Sequence, residues 1–497
     1  MKTYIFLSLV AIIIYFSIRM GKKVIVFKDK FLKKFLILIT ILVLLSLLAI
    51  IPYKGIYKYK PSTQSPILLL FQQGDEYTHF LHNVSLKDID TRNFNPIEKY
   101  KRIDNRYKKY ENIAKDMNII FYIMESVRKK NVSVYGYKRD TMPNLKKMIK
   151  SGALVFHNAY VNQPRSCKTM SSLLMGTYPD PRLVSIVWKY YNIKDVNLSF
   201  IKRLKDNNYT IYFGAMQENE GGDQFGNALR ALTKNSIMIQ DPVTLLKNNP
   251  NNRARLDERL LIDNFLNWTK EQNSKFSAIL WTKSAHMAYI SPIKKWKEKS
   301  DIDKYDNCLF NLDRALKSLV NGLKKQKKLE NTLIVILGDH GEALGDKLDW
   351  GHGNYLYEHS MNIPFIIYNN KIFKGKVDIY NRFQIKDISS TILYMLGIDS
   401  KINQSINIFA KKPTDTIYLS NVHQDYKLGL IYDNYKFVYR PKYELFYLYD
   451  LKNDPNEEHN IIREKSKKEI EELKLKTLKW YKYQIDYLNK KIYKEKI

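Results

Sequence analysis

Ser166, Cys167, Lys168 and Thr169 stand side by side in the stretch "VNQPRSCKTMSSLLMGTYP" at residues 161–179. The apolar run behind them reads as a helix, so these residues lie at a helix entrance. Unpaired backbone N–H groups there welcome a phosphate or a sulfate. A hydroxyl so placed is suited to attack such an anion, and both Ser166 and Thr169 offer one. Lys168 would add positive charge where the transferred group gathers negative charge. A plainer reading makes Ser166 an N-cap with Thr169 its partner one turn on. Capping and catalysis do not exclude each other.

Glu125 closes the apolar run "FYIM", and the pair Asp339-His340 closes "VILG" in "VILGDHGEALGD". An adjacent Asp and His can give one oxygen and one nitrogen ligand to a divalent metal, and Glu125 would bring a second carboxylate. Taken singly, Glu125 is a solvated acid at a strand end and "GDHGE" a glycine turn. His286 follows "FSAILWTKSA" and His352 lies in "WGHGNYLYEH". The chain has 9 histidines, so three at such places point to a site rather than to scattered surface residues. His286 and His352 could bind the transferred anion or protonate a leaving group. A mixed carboxylate and imidazole set suits Zn or Mn better than Ca as the divalent metal.

These residues need a frame that brings them together. From residue 117 short apolar runs alternate with helical stretches: "NIIFYIM", "YTIYFGA", "FSAILWT", "TLIVILGD" and "PFIIYN". Near-continuous apolar strands separated by helices predict an α/β fold with a mostly parallel sheet buried on both faces. Ligands then bind beyond the carboxyl ends of the strands, where Glu125, Asp339 and His340 fall. After about residue 400 the pattern shifts to Tyr-rich alternating segments such as "TIYLSNV" and "LFYLYDL", which predict a small antiparallel subdomain. Ile470, Leu473, Thr477, Trp480, Tyr481, Gln484 and Leu488 share one face of a terminal helix, a stripe expected to dock on its own protein. The expected division is an anchor at 1–55, a linker at 56–115, a catalytic domain at 116–400 and a C-terminal subdomain at 401–497.

The formal charge of +32 would suggest nucleic acid or an anionic membrane. Lys, Ile, Asn and Tyr are abundant together, however, which is a compositional bias, and no nucleic-acid motif accompanies the charge. Cys167 and Cys308 allow one disulfide and exclude both a disulfide framework and a cysteine-based zinc site. Residues 35–51 are uncharged and, at about 1.5 Å per residue, nearly cross a hydrocarbon core. Residues 4–18 form a second uncharged run without a small-residue cleavage site after it. Between them "RMGKKVIVFKDKFLKK" carries seven basic residues and one acid. The positive-inside rule places that loop in the cytoplasm and everything after Pro52 outside, so a membrane-anchored protein with an extracytoplasmic domain is expected.

From residue 118 to about 461 the chain resembles the sulfatase family of the alkaline phosphatase superfamily. The pieces that carry the resemblance, in the family's order, are "ESVRKKNVSVYGYKRDTMPNL", "VFHNAYVNQPRSCKTMSSLLMGTYP", "GDHGEALGD", "WGHGNYLYEHSMNIPFII", "IKDISSTILYMLGI" and "LYDLKNDPNEEHN". The resemblance implies an alkaline phosphatase-like fold and a metal held by an early acid, a late Asp-His or Asp-Asn pair and the nucleophile. Those positions are Glu125, Asp339, His340 and Ser166. True sulfatases carry Cys or Ser in C/S-x-P/A-x-R, oxidised to formylglycine. Here Ser166 takes the nucleophile position, Lys168 replaces Pro or Ala, and Met170 replaces Arg. The single acid of "MES" and the run Ser166-Cys167-Lys168-Thr169 resemble the phosphoethanolamine transferases and lipoteichoic acid synthases, which use an unmodified Thr in T-x-x-S. Thr169 begins such a run with Ser172 and is the other nucleophile candidate. The "LYDLKNDPNEEHN" segment resembles sulfatases instead.

The expected function is therefore a metal-dependent enzyme on phospho- or sulfo-esters outside the cytoplasm. Foremost is transfer of a phospho-alcohol group to an envelope lipid or glycan, followed by ester hydrolysis and, last, a catalytically dead envelope-binding protein.

Overall fold

The computed structural model describes residues 86–96, 102–182, 199–216, 237–240, 257–411, 416–423 and 425–492. All belong to the second of two units of the chain, Gly74–Ile497. Both apolar N-terminal runs and the basic loop between them lie outside the described residues. Among the described residues no helix is long and apolar enough to cross a membrane.

Among the described residues ten strands precede the C-terminal region: β1 (Asn118–Met124), β2 (Ala153–Tyr160), β3 (Thr210–Ala215), β4 (Ile237–Gln240), β5 (Phe276–Trp281), β6 (Thr332–Gly338), the short pair β7 (Ala343–Leu344) and β8 (Trp350–Gly351), β9 (Asn362–Tyr368) and β10 (Gly375–Gln384). Eight of them form one sheet in the order β10-β2-β9-β6-β1-β5-β3-β4. Its pairings are parallel except those of β9, which runs antiparallel to β2 and β6. This is the mostly parallel sheet that the alternating apolar runs predict, with the antiparallel β9 as an addition to it.

The helices are α1 (Pro143–Gly152), α2 (Ser166–Met175), α3 (Phe200–Asp206), α4 (Arg259–Lys270), α5 (Asp301–Lys325), the single turn α6 (Glu358–Met361) and α7 (Ile388–Leu396). Side chains of a strand alternate between faces, and β1 shows the consequence. Ile119, Phe121 and Ile123 enter one core with Leu173, Phe200 and Ile392, from α2, α3 and α7. Ile120, Tyr122 and Met124 enter the opposite core with Leu145, Ile262 and Leu312, from α1, α4 and α5. Every residue of β1, β5 and β6 is buried, as strands covered on both faces require.

A second sheet, β11 (Thr416–Asn421), β12 (Lys427–Tyr432), β13 (Tyr435–Arg440) and β14 (Leu445–Asp450), is antiparallel in chain order. Helix α8 (Lys467–Tyr487) starts at a capping box of Ser466 and Glu469. It packs on this sheet through Leu478, Trp480 and Tyr481, with the Trp480 ring stacked 5.3 Å from that of Tyr418. Thr477, Gln484 and Leu488 are also buried, while Ile470 and Leu473 are only half-buried.

The described part of the expected linker is built into the fold. Tyr107 and Tyr110 pack at a tilt against Phe409, Ile103 bridges to Ala410, and Phe94 meets Tyr418. Its tyrosines Tyr107 and Tyr110, read as polar in the sequence, contribute apolar bodies to one core, and Leu86, Ile89 and Phe94 join another.

Candidate active site

Parallel pairing of β1 with β6 puts Met124 opposite Gly338. The next residues, Glu125 and Asp339, therefore emerge side by side at the carboxyl edge of the sheet. Asp339 Oδ1 accepts from the backbone N–H groups of Ser126 and His340, each at 2.8 Å. Gly341 lets the turn close, because a Cβ there would lie 1.9 Å from the backbone oxygen of His359. His340 Nδ1 donates to Gly341 O at 2.9 Å, an assignment fixed by that carbonyl. Its Nε2 therefore presents a lone pair to the site.

Helix α2 begins at Ser166, whose Oγ donates to Glu125 Oε1 at 2.9 Å and lies 3.0 Å from His340 Nε2. The serine is the first helical residue rather than the N-cap, which is Arg165, and Arg165 makes no side-chain cap bond. The Ser166 hydroxyl thus faces the strand ends.

Glu125, Asp339 and His340 are buried, and one ligand atom from each lies within 4.8 Å of the others. Glu125 Oε2 and Asp339 Oδ2 have no hydrogen-bond partner. Burial first, and then the charge of Asp339, push the Glu125 carboxyl well above its usual range. Two buried carboxylates with unshared oxygens beside a neutral imidazole anchored through its other nitrogen suit a divalent cation, so these residues fit a metal.

Two more histidines converge here. The His352 ring centre is 4.2 Å from that of His340, and the His286 ring is 5.3 Å from that of His352. His286 Nδ1 donates to Met287 O at 2.8 Å, and His352 Nδ1 pairs with Glu342 Oε2 at 3.0 Å. Burial, with His286 and Arg165 adding to it, pushes His352 down to about 3. Glu342, buried, is pushed up to about 7 and also accepts from the Tyr289 hydroxyl at 3.1 Å.

Lys168 and Thr169 are not brought to this cluster. Lys168 Nζ is buried and donates to Asp180 O at 2.6 Å. At about 100° per residue it faces away from Ser166, so it cannot supply the charge expected of it. Thr169 is buried one turn deeper, its hydroxyl on Gln163 O at 3.4 Å. Cys167 and Cys308 are free. Glu342, Tyr289, Arg165 and His423 also lie around these histidines, beyond the residues the sequence points to. Glu342 was in view inside "GDHGE"; the others carried no signal of their own.

The mixed sheet, with the acid, the Asp-His pair and the helix-borne serine at its carboxyl edge, defines an alkaline phosphatase-like α/β protein. The sulfatase family model matches residues 117–398. The chain belongs to the sulfatase family, a family of enzymes. It is similar to the phosphoethanolamine transferase EptA of Helicobacter pylori, 26% identical over 276 residues, 52% of this chain and 49% of that protein. The arylsulfatase of Clostridium perfringens is 26% identical over 203 residues, 38% of this chain and 39% of the relative. A lipoteichoic acid synthase of Staphylococcus saprophyticus is 31% identical over 149 residues, 27% of this chain and 23% of the relative. The chain thus spans about half the length of these curated relatives, or less. Among solved structures, the lipoteichoic acid synthase LtaP from Listeria monocytogenes superposes with a TM-score of 0.62 at 16% identity, covering 82% of this chain and 100% of that one.

Proposed function

We propose that this protein transfers a phospho-alcohol group, of the phosphoethanolamine type, from a membrane lipid to an envelope lipid or glycan, with Ser166 as the covalent carrier. The observation that carries the reading is the Ser166 hydroxyl, 2.9 Å from Glu125 and 3.0 Å from His340 at the start of a helix. Glu125, Asp339, His340 and Ser166 would hold the metal, with Zn or Mn preferred over Ca by the donor set. A divalent cation bound there supplies a Lewis acid that lowers the pKa of the hydroxyl and offsets charge on the transferred group.

Ser166 Oγ loses its proton and forms a bond to phosphorus, while the bond from phosphorus to the donor alcohol breaks. His286 and His352, each with Nδ1 engaged, keep Nε2 for proton transfer. An imidazole there can take up a proton and return it to the leaving alkoxide. Glu342 accepts from His352 Nδ1 and stabilises the imidazolium that forms. In the second half, an acceptor hydroxyl attacks the phosphoserine and Ser166 regains its proton.

The phosphoryl reading is supported over sulfate by Met170, which is buried in the core where the sulfatase motif has Arg. Hydrolysis of a sulfuric or phosphoric ester is the second reading, favoured by the likeness to the arylsulfatase. We place the catalytic region outside the cytoplasm, as the basic loop between the two apolar runs suggests.

The test is peptide mass spectrometry of the full-length protein after incubation with membrane lipids. A phospho-alcohol adduct on the Ser166 peptide, lost in Ser166→Ala, is expected. Formylglycine at position 166 would overturn the transferase reading in favour of a sulfatase, and an adduct on Thr169 would overturn the choice of nucleophile.

A further inference from the structure

We propose that the Arg165 guanidinium grips the anionic group being transferred, the task that Lys168 does not perform and that Met170 cannot. The inference rests on the reading of Ser166 as nucleophile.

Arg165 is the extended N-cap of α2 (φ −148°, ψ 133°) and places no side-chain bond on the helix. Its guanidinium lies instead against the backbone of Gly353: a Cβ at that position would sit 3.1 Å from Nε and 3.3 Å from Nη2. Gly353 also adopts φ +80°, so two constraints favour glycine there. The preceding residue is His352, whose ring lies 4.2 Å from that of His340, and His340 Nε2 is 3.0 Å from Ser166 Oγ. The guanidinium thus belongs to the residue before the serine and lies against the residue after His352.

The C-terminal sheet completes this corner. Asn421, at the end of β11, donates through Nδ2 to Gly353 O at 2.6 Å. Its Oδ1 accepts from the backbone N–H of His423 at 3.2 Å. One side chain therefore fixes the backbone under Arg165 and the turn carrying His423. Burial, with Arg165 the next cause, pushes His423 down to about 4, so the guanidinium lies within electrostatic reach of that turn as well. Arginine's planar fork matches two non-bridging oxygens of a tetrahedral phosphoester, and half-buried beside a helix start it acts in a less screened setting than a surface cation.

The experiment uses the full-length, metal-loaded protein and bis(p-nitrophenyl) phosphate, a diester whose only charge is on the transferred group. Arg165→Ala is expected to lower kcat/KM about 100-fold or more, as losing one electrostatic donor to a transition state does. Arg165→Lys should recover part of the loss, and guanidinium chloride at millimolar concentration should partly restore Arg165→Ala without accelerating the wild type. Gly353→Ala, which leaves the charge and disturbs its seat, should fall between wild type and Arg165→Ala. Turnover of Arg165→Ala within twofold of wild type, while Ser166→Ala is inactive, would overturn the role of Arg165 and leave the nucleophile standing. No restoration by guanidinium, with or without loss of bound metal, would also overturn it, since a structural arginine cannot be replaced in that way. Full activity of Ser166→Ala would remove the underlying reading itself.

Discussion

Two clusters of buried acids lie about the two sheets and are wired in opposite ways. In the first, Lys436 on β13 is fully buried, with Nζ 2.8 Å from both Glu358 Oε1 and Glu457 Oε1 and donating to Leu356 O at 3.0 Å. Glu358 also accepts from Asn362 Nδ2 and the Tyr160 hydroxyl, and its own N–H donates to Glu457 Oε2 at 2.7 Å. A cation sits between the two acids, and neutral donors take up further oxygens. At the strand ends, Glu125 and Asp339 are equally buried, yet each keeps an oxygen with no hydrogen-bond partner and, among the described residues, no lysine or arginine paired with it, whereas Glu358 Oε1, also without a hydrogen bond, has Lys436 Nζ at 2.8 Å. The lesson is that burial does not mark the site, because both clusters are buried; the state of the acid oxygens does. A closed network holds elements together, and an open one is arranged to receive charge.

The largest effects should come from closing the open cluster. Glu125→Gln, Asp339→Asn and His340→Ala should each abolish turnover and bound metal, read by elemental analysis, while thermal unfolding stays cooperative. Full metal occupancy in all three would refute the ligand set. Next in size is the proton relay: Glu342→Gln and His352→Ala should lower kcat roughly 10²- to 10⁴-fold with metal retained. Loss of metal in Glu342→Gln would instead make that acid a ligand.

The closed cluster should respond in the other currency. Lys436→Met leaves Glu358 and Glu457 buried against each other, a change that costs about 3–5 kcal/mol for a broken buried pair. The denaturant midpoint measures it, and activity per folded molecule should persist. An unchanged midpoint would show that the triad is solvated.

A milder, pH-dependent effect belongs to Asp346, which lines a cavity together with Glu358 and Glu457. Burial alone would raise its pKa, but Arg128, which donates to it, holds it well below the usual range. The folded state therefore binds fewer protons than the unfolded one below the ordinary Asp value of about 4. This stabilisation is present in full above that pH and is lost as the pH falls further. Asp346→Asn should flatten the acid limb of a stability profile; an unaltered limb would exclude the pair as its cause.

Much of this was legible in the residues. β1, β5 and β6 announced themselves because a strand buried on both faces has to be apolar throughout. Glu125 and Asp339 stood out as the first polar residues after such strands. The reversed direction of β9 was not legible, since "PFIIYN" reads the same for either orientation. Glu342 was hidden because an acid in a glycine turn looks solvated, and only the fold shows its carboxylate buried against His352. Arg165 and His423 meet through Gly353 and Asn421, residues far apart in the chain. Lys168 misled because adjacency along a helix is not adjacency in space: two residues turn a side chain by about 200°.

The smallest predicted effect tests that last point at the second hydroxyl. Thr169 faces Gln163 O across a long 3.4 Å bond inside the core, whereas Ser166 faces Glu125 and His340. Replacing Thr169 with Ala removes one methyl-bearing side chain and one weak hydrogen bond, so a loss of about 1 kcal/mol in stability is expected. Activity and the covalent adduct should survive, because no atom of the reacting set is touched. Replacing Thr169 with Ser keeps the hydroxyl and should recover part of even that small loss. If Thr169→Ala instead removed the adduct while Ser166→Ala kept it, the helix would have to rotate before reaction, and the open cluster described here would be a resting arrangement rather than the reacting one.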